Sequence, residues 1–249
     1  MEQDFSQLFH SSSKKITNRQ SSFFTDYKLY PRLPKVSLTE EGILSPSSSS
    51  SRVLSDKAFF DLVGRRMSRI NFARVPLTRY ELSALLKYSC GIKEIRSENS
   101  SYRVQPSAGA RFPIEVYLIV FRSGDISKNE LQSGLYHYNV KEHTLDVLWD
   151  REFSDEDIGA LFTYPWIRDA AMGLVMTAVF WRTQNTYGER GYRYILIEAG
   201  HIGQNIYLIS EALGLKCCAF GGTRDKNLEK LIDIDGVTES VVYGFAIGK

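Results

Sequence analysis

With 249 residues, 43% of them hydrophobic, the chain is long enough for one large domain with a full core. A formal net charge of +2 without a long basic run excludes a nucleic-acid footprint. The longest apolar runs, such as residues 170–181, fall short of a membrane span, and the start Met-Glu-Gln-Asp-Phe lacks the basic and apolar regions of a signal peptide. In chain order, residues 1–54 carry few periodic apolar positions and close on Ser45-Pro46-Ser47-Ser48-Ser49-Ser50-Ser51, a linker composition. Aromatics and prolines at 23–38 (Tyr27, Tyr30, Pro31, Pro34) suit an extended arm laid over a surface, and composition favours a partly disordered tail equally. From residue 55 to 249 the pattern is that of one compact domain.

Ser55 or Asp56 can cap a helix containing Phe59, Phe60, Leu62 and Val63. Thr78 opens the next, with Glu81 completing a capping box, Leu82, Leu85 and Leu86 on the inner face and Cys90-Gly91 at the end. Residues 114–121 read as a strand, and 134–139 with 145–149 as a hairpin around Lys141-Glu142-His143. Helices are expected at 155–161 and 166–171. Val175, Thr177, Val179 and Phe180 favour a strand over 173–181. A polar turn then leads into a long helix over 190–213, followed by a strand at 216–220, a short helix at 226–232 and a last strand at 240–247. Helices and strands alternate irregularly and no repeat is visible, so the class is α+β or α/β.

The long helix carries Ile195, Ala199, Ile202, Ile206, Ile209 and Leu213 at steps of four and three, the mark of a packed face. Glu198, His201 and Asn205 make a second, polar stripe, which needs partners if buried. Three shorter constellations could bind a ligand. Gly64-Arg65-Arg66-Met67-Ser68-Arg69 suits a phosphate, because guanidinium forks match its oxygens; a solvated basic patch is its plain alternative. Pro106-Ser107-Ala108-Gly109-Ala110-Arg111-Phe112-Pro113 allows close backbone approach to a flat ligand, or is simply a tight loop. Gly221-Gly222 after a strand exposes backbone N–H groups. No dinucleotide fingerprint, Walker loop or nucleophile elbow is present. The four histidines lack metal-ligand spacing, so no metal is expected. Cys90, Cys217 and Cys218 form no disulfide framework, which implies a reduced, cytoplasmic protein.

Taken in order, Arg-Arg-x-Ser-Arg, Pro-Ser-Ala-Gly-Ala-Arg-x-Pro-x-Glu-Val-Tyr, Gly-Leu-Tyr-His-Tyr, Tyr-Gly-x-Arg-Gly-Tyr-Arg-Tyr, Gly-His-x-x-Gln-Asn and Gly-Gly closely resemble the SagB-type, McbC-like branch of the nitroreductase superfamily. The resemblance implies an α+β nitroreductase-like fold, a central mixed or antiparallel sheet flanked by helices, in an intertwined homodimer with two FMN molecules at the interface. Arg65, Arg66, Ser68 and Arg69 would hold the FMN phosphate and ribityl chain. Ser107 with its Gly109, Ala110 and Arg111 neighbours would reach the flavin from the partner subunit, Gly221 and Gly222 would present backbone near N5, and Pro106, Ala108 and Gln204 join the cofactor-binding set. The implied activity is FMN-dependent oxidoreduction, with hydride transfer in the tailoring of a ribosomally made peptide, such as azoline-to-azole oxidation, beside other peptide-maturation enzymes. The branch carries a Lys-Tyr pair before Gly-x-Arg-Gly-Tyr-Arg; this chain has Thr186-Tyr187. Tyr187 is thus the expected catalytic acid or base, with Thr186 shaping the pocket, and the missing lysine puts azoline oxidation in question. The alternatives are an NAD(P)H-dependent nitro- or enone-reductase and a non-catalytic flavin-binding scaffold.

Overall fold

The computed structural model describes residues 27–38, 56–97 and 100–249, so the serine-rich linker lies outside the described residues. The strands are β1 (Lys35–Ser37), β2 (Ile92–Ser97), β3 (Ser100–Arg103), β4 (Ile114–Val120), β5 (Gly134–Asn139), β6 (Thr144–Asp150), β7 (Met172–Val179), β8 (Lys216–Phe220) and β9 (Glu239–Gly248). Seven of them form one sheet in the order β1-β6-β5-β4-β7-β9-β8, with every neighbouring pair antiparallel. β2 and β3 make a separate hairpin. The helices are α1 (Asp56–Arg65), α2 (Arg79–Cys90), α3 (Asp155–Leu161), α4 (Phe180–Tyr187), α5 (Gly191–Ala212) and α6 (Asp225–Ile232).

The two-residue period of the central strands builds two cores. On one face, Val116, Leu118, Leu174 and Met176 meet Leu82, Leu85 and Leu86 of α2 and Ile195, Ala199, Ile202 and Ile206 of α5. On the other, Tyr117, Ile119 and Val175 meet Ile158 and Leu161 of α3 and Leu228 and Ile232 of α6. The result is a layer of helices on each side of an antiparallel sheet, the α+β class. The Thr78–Glu81 capping box starts α2, and Gly91 closes it by donating its N–H to the Lys87 carbonyl. A Cβ on Gly203 would come within 2.9 Å of the Phe245 and Tyr243 rings, so α5 lies closer to the sheet than a larger residue there would permit.

Three expectations need correction. Residues 166–171 do not form an α-helix: Pro165–Asp169 is a single 3-10 turn, because the chain must enter β7 at Met172. The strand expected at 173–181 ends at Val179, and Phe180 and Trp181 open α4 instead. Tyr187 therefore ends a helix, and the expected polar turn shrinks to Gly188–Arg190. Tight crossing explains the break. The Phe180 ring stacks on Tyr192 at 5.7 Å, and a Cβ on Gly191 would meet the Gln184 backbone at 3.0 Å. The described part of the arm runs along the sheet edge: β1 pairs with β6, and the Val147 amide donates to the Pro34 carbonyl at 2.8 Å.

Candidate active site

The residues singled out in the sequence gather at two places, one at each end of α5. At its C-terminal end the chain leaving α1 passes beside β8, where the Arg69 amide donates to the Cys217 carbonyl at 3.0 Å. Ser68 Oγ lies 2.9 Å from the Tyr207 hydroxyl, which also accepts from the Ala219 amide at 2.8 Å. The Arg66 guanidinium lies over the Tyr207 ring at 5.1 Å. Arg69 is ion-paired with Glu211, and Arg65 Nε stands 4.0 Å from the same carboxylate. Two guanidinium cations thus share one carboxylate while the third, Arg66, lies over a ring, a surplus of positive charge that suits a phosphate. Gly221, exposed just past β8, has no atom within 4 Å of where a Cβ would stand, so its backbone is open to approach. Gly222 is held differently: its carbonyl accepts from Thr163 Oγ1 at 2.7 Å. Gln204 is exposed on α5, one turn before Tyr207.

The N-terminal end rests on the buried side chains of Gln105, Phe112 and Glu198, beneath a loop whose Gly109 and Ala110 are exposed. The loop at 105–113 turns through positive φ at Gly109, Ala110 and Phe112, two of which pay the left-handed penalty of residues with a Cβ, on the order of 1–3 kcal/mol each. Ser107 Oγ accepts from the Phe112 amide at 2.9 Å, and its hydroxyl also bonds the Glu198 carboxyl of α5. Gln105 Nε2 donates to Glu198 at 3.4 Å. Burial raises the Glu198 carboxyl to about 7, against the opposing pull of Ser107, Gln105, Arg103 and Arg182. The Arg103 guanidinium lies over the Phe112 ring at 4.4 Å. Tyr187 meets this loop directly: a Cβ on Gly109 would come within 2.6 Å of its hydroxyl oxygen. Its ring stands edge-on to Tyr194 at 5.1 Å, and Arg190 Nε donates to the Tyr194 hydroxyl at 3.2 Å. Thr186 precedes it at the end of α4.

One chain therefore brings Ser107, Gly109 and Tyr187 together, and separately brings Arg65, Arg66, Ser68 and Arg69 together beside β8. Their anchors on α5, Tyr194 and Tyr207, are 13 residues apart, about 20 Å along the helix axis. Of the polar stripe on α5, Glu198 is buried and Asn205 donates to the Ser89 carbonyl at 3.0 Å, whereas His201 is exposed. Sequence reading missed Tyr207, Glu211 and Arg182. The first two were signalled by their four-residue spacing on one helix, which puts a hydroxyl and a carboxylate on one side.

The chain belongs to the nitroreductase family, whose profile matches residues 62–249. MJ1384 of Methanocaldococcus jannaschii, a nitroreductase by name, is 32% identical over 70% of this chain and 83% of its own length. The trifolitoxin-processing protein TfxB of Rhizobium leguminosarum is 32% identical over 57% of this chain, and the microcin B17-processing protein McbC of Escherichia coli 29% over 53%. The matches span 38% of TfxB and 49% of McbC, half or less of each. Among solved structures, a nitroreductase-type protein from Anabaena variabilis aligns with a TM-score of 0.72 at 23% identity, over 99% of this chain and 46% of that one. The E. coli microcin synthetase McbBCD complex, with truncated pro-MccB17 bound, aligns at 0.60 and 20% identity, over 97% of this chain and 80% of the other. An Exiguobacterium sibiricum protein in complex with FMN aligns at 0.52 and 13% identity, over 77% and 87%. These structures share the fold. By family the protein is a nitroreductase-type oxidoreductase with relatives in peptide maturation. Among the described residues no helix is long and apolar enough to cross a membrane.

Proposed function

We propose that the chain is an FMN-dependent oxidoreductase that works as an intertwined homodimer and tailors a ribosomally synthesised peptide. The separation along α5 carries this reading. An anion-binding cluster and a strained loop with a tyrosine lie about 20 Å apart in one chain, so a second copy is needed to set one beside the other. Leu196 and Ile197, 43% and 54% exposed on α5, support burial of this helix between subunits. The described contacts of residues 27–38 support an arm over 1–54 that wraps the assembly instead of forming a domain.

In this reading Arg65, Arg66, Ser68 and Arg69 hold the phosphate, and Gly221 and Gly222 offer backbone to the ring edge. Pro106, Ser107, Ala108, Gly109 and Arg111 close over the flavin from the second subunit, and Gln204 faces the cofactor. FMN supplies hydride acceptance or donation, which protein side chains cannot. Tyr187, at the loop, gives or takes the proton that accompanies it, and Thr186 sets the shape of its surroundings. The peptide-processing relatives favour a peptide substrate and other maturation proteins as partners. Since Thr186 replaces a lysine, the step is a hydride transfer related to azoline oxidation, not tied to it.

The first test is colour and mass. The purified protein should be yellow, release FMN on denaturation and sediment as a dimer; a colourless monomer that takes up no added FMN contradicts the proposal. A second reading rests on MJ1384, which matches over most of its own length: a small-molecule nitro- or enone-reductase. Rapid reduction of the bound flavin by NAD(P)H, with turnover on nitroaromatics and none on peptides, would favour it.

A further inference from the structure

Two blocks of the sequence pattern, Glu-Val-Tyr at 115–117 and Tyr-His-Tyr at 136–138, find no use in the flavin reading. They lie on β4 and β5, next to each other in the sheet, and their alternate residues Glu115, Tyr117 and His137 share the face that Lys28 and Tyr30 of the arm touch. There, charged side chains form one continuous chain of contacts, buried from Asp146 to Arg182 and reaching the surface at Lys35. Lys35 of β1 donates to Asp146 at 2.6 Å. Asp146 lies 3.5 Å from His137 Nδ1, and His137 Nε2 lies 2.8 Å from Glu115. Glu115 accepts from Arg182 Nη1 at 2.6 Å, and the same nitrogen donates to the Phe112 carbonyl at 3.2 Å. The arm adds Tyr30, edge-on to the His137 ring at 5.2 Å.

We infer that Arg182 is the positioning residue for the 105–113 loop, held by Glu115 and His137, and that the arm reaches the same loop through Lys35 and Asp146. The geometry is specific. Arg182 is the only guanidinium bonded to the carbonyl of Phe112 among the described residues, and Phe112 is one of the residues at positive φ. A backbone turn of that kind persists only where its surroundings over-determine it. Phe112 is fixed on three sides, by Ser107 at its amide, Arg182 at its carbonyl and Arg103 on its ring. Burial alone would raise Glu115; the His137 and Arg182 partners outweigh it and hold the carboxyl down to about 2, so the anion that orients Arg182 persists. Buried ionic groups of this sort are weak sources of stability, and in some proteins they fix conformation instead.

The inference goes beyond the flavin reading and fails separately from it, because amide exchange in the loop can be measured whether or not FMN binds. The experiment is hydrogen exchange on full-length Arg182→Met. Amides at 110–112 should exchange about tenfold faster or more, while those at 116–118 and 202–206 change less than about threefold. Unchanged loop exchange, or equal acceleration everywhere, would overturn the proposal. If the lone Glu115 carboxylate prevents folding, Glu115→Gln/Arg182→Met removes both charges and should show the same local loss. Failure of the double variant to fold would assign the network to global stability and end the claim. Lys35→Met should speed loop exchange by a smaller factor, about two- to threefold, and no change there would sever the arm from the loop.

Discussion

The two ends of α5 are built on opposite plans. At the N-terminal end the polar side chains are buried or half-buried and linked to one another: Glu198 with Gln105 and Ser107, Ser107 with Phe112, Arg182 with Glu115. At the C-terminal end the arginines are half-exposed to exposed, and one carboxylate serves two of the three cations. Preorganisation at one end and unspent charge at the other fit the division into chemistry and anchorage proposed above. A reacting group needs fixed geometry, whereas a phosphate anchor needs charge and reach.

Four experiments would break or sharpen this contrast. The largest effect is expected at Tyr187. Tyr187→Phe should keep flavin and assembly while turnover falls about 10²–10⁴-fold, the usual range for one acid–base group; steady-state rates on the true substrate decide, and an unchanged rate removes the hydroxyl from the mechanism. Ile202→Ala, midway along α5 and fully buried, should destabilise the protein by about 2–5 kcal/mol in urea unfolding and weaken both ends together. Loss at one end alone would show that the helix does not couple them.

Glu198 sets the pH response of the buried end. Its carboxyl is raised to about 7 in the fold, so the stabilising form is the protonated one. That contribution is complete below the ordinary carboxylate range and is lost as pH rises through about 7. His137, whose ring is also raised because its Asp146 and Glu115 bonds outweigh burial, loses its contribution on the same alkaline side. Glu198→Gln should therefore gain on the wild type by about 2–3 kcal/mol at pH 8.5 compared with pH 5, read from thermal unfolding at both values. A constant difference between the two proteins would show that the carboxyl does not ionise there. The smallest effect belongs to the exposed end: Arg69→Ala should weaken FMN retention by about 1–3 kcal/mol, as measured by fluorescence titration, without changing stability. Unaltered retention would move the phosphate elsewhere.

Much of the scaffold is legible in the sequence because its signals are local. Thr78 and Glu81 announce the start of α2, and the steps of four and three from Ile195 to Ile206 announce the buried face of α5. β1 escapes notice because three residues, Lys-Val-Ser, carry no period. The β2–β3 hairpin escapes because its buried residues, Ser101 and Arg103, are polar, while Ile95 is 64% exposed. α4 hides because Val179 and Phe180 prolong the apolar run of β7. At the candidate site, residue types near one another in sequence are readable, as in Arg65 to Arg69 or Ser107 to Arg111. The union of Tyr187 with Gly109, and of Arg182 with Phe112, is not, since each joins segments some 70 residues apart or more by the sheet's topology. Glu115 and His137 mislead in a further way: a charged residue inside a strand suggests an outward face, yet here the arm and its tyrosine roof that face over.

The glycine at 203 has a consequence for how such an enzyme can change over time. With the Phe245 and Tyr243 rings pressed into the place of its side chain, α5 is keyed to the sheet and can neither slide nor roll without unseating both rings. The distance between the helix's two ends is therefore a built-in gauge, held constant while the loops at either end drift. A lineage can change the residue at position 186, or reshape the loop at 105–113, and leave the span between the two ends of the helix untouched.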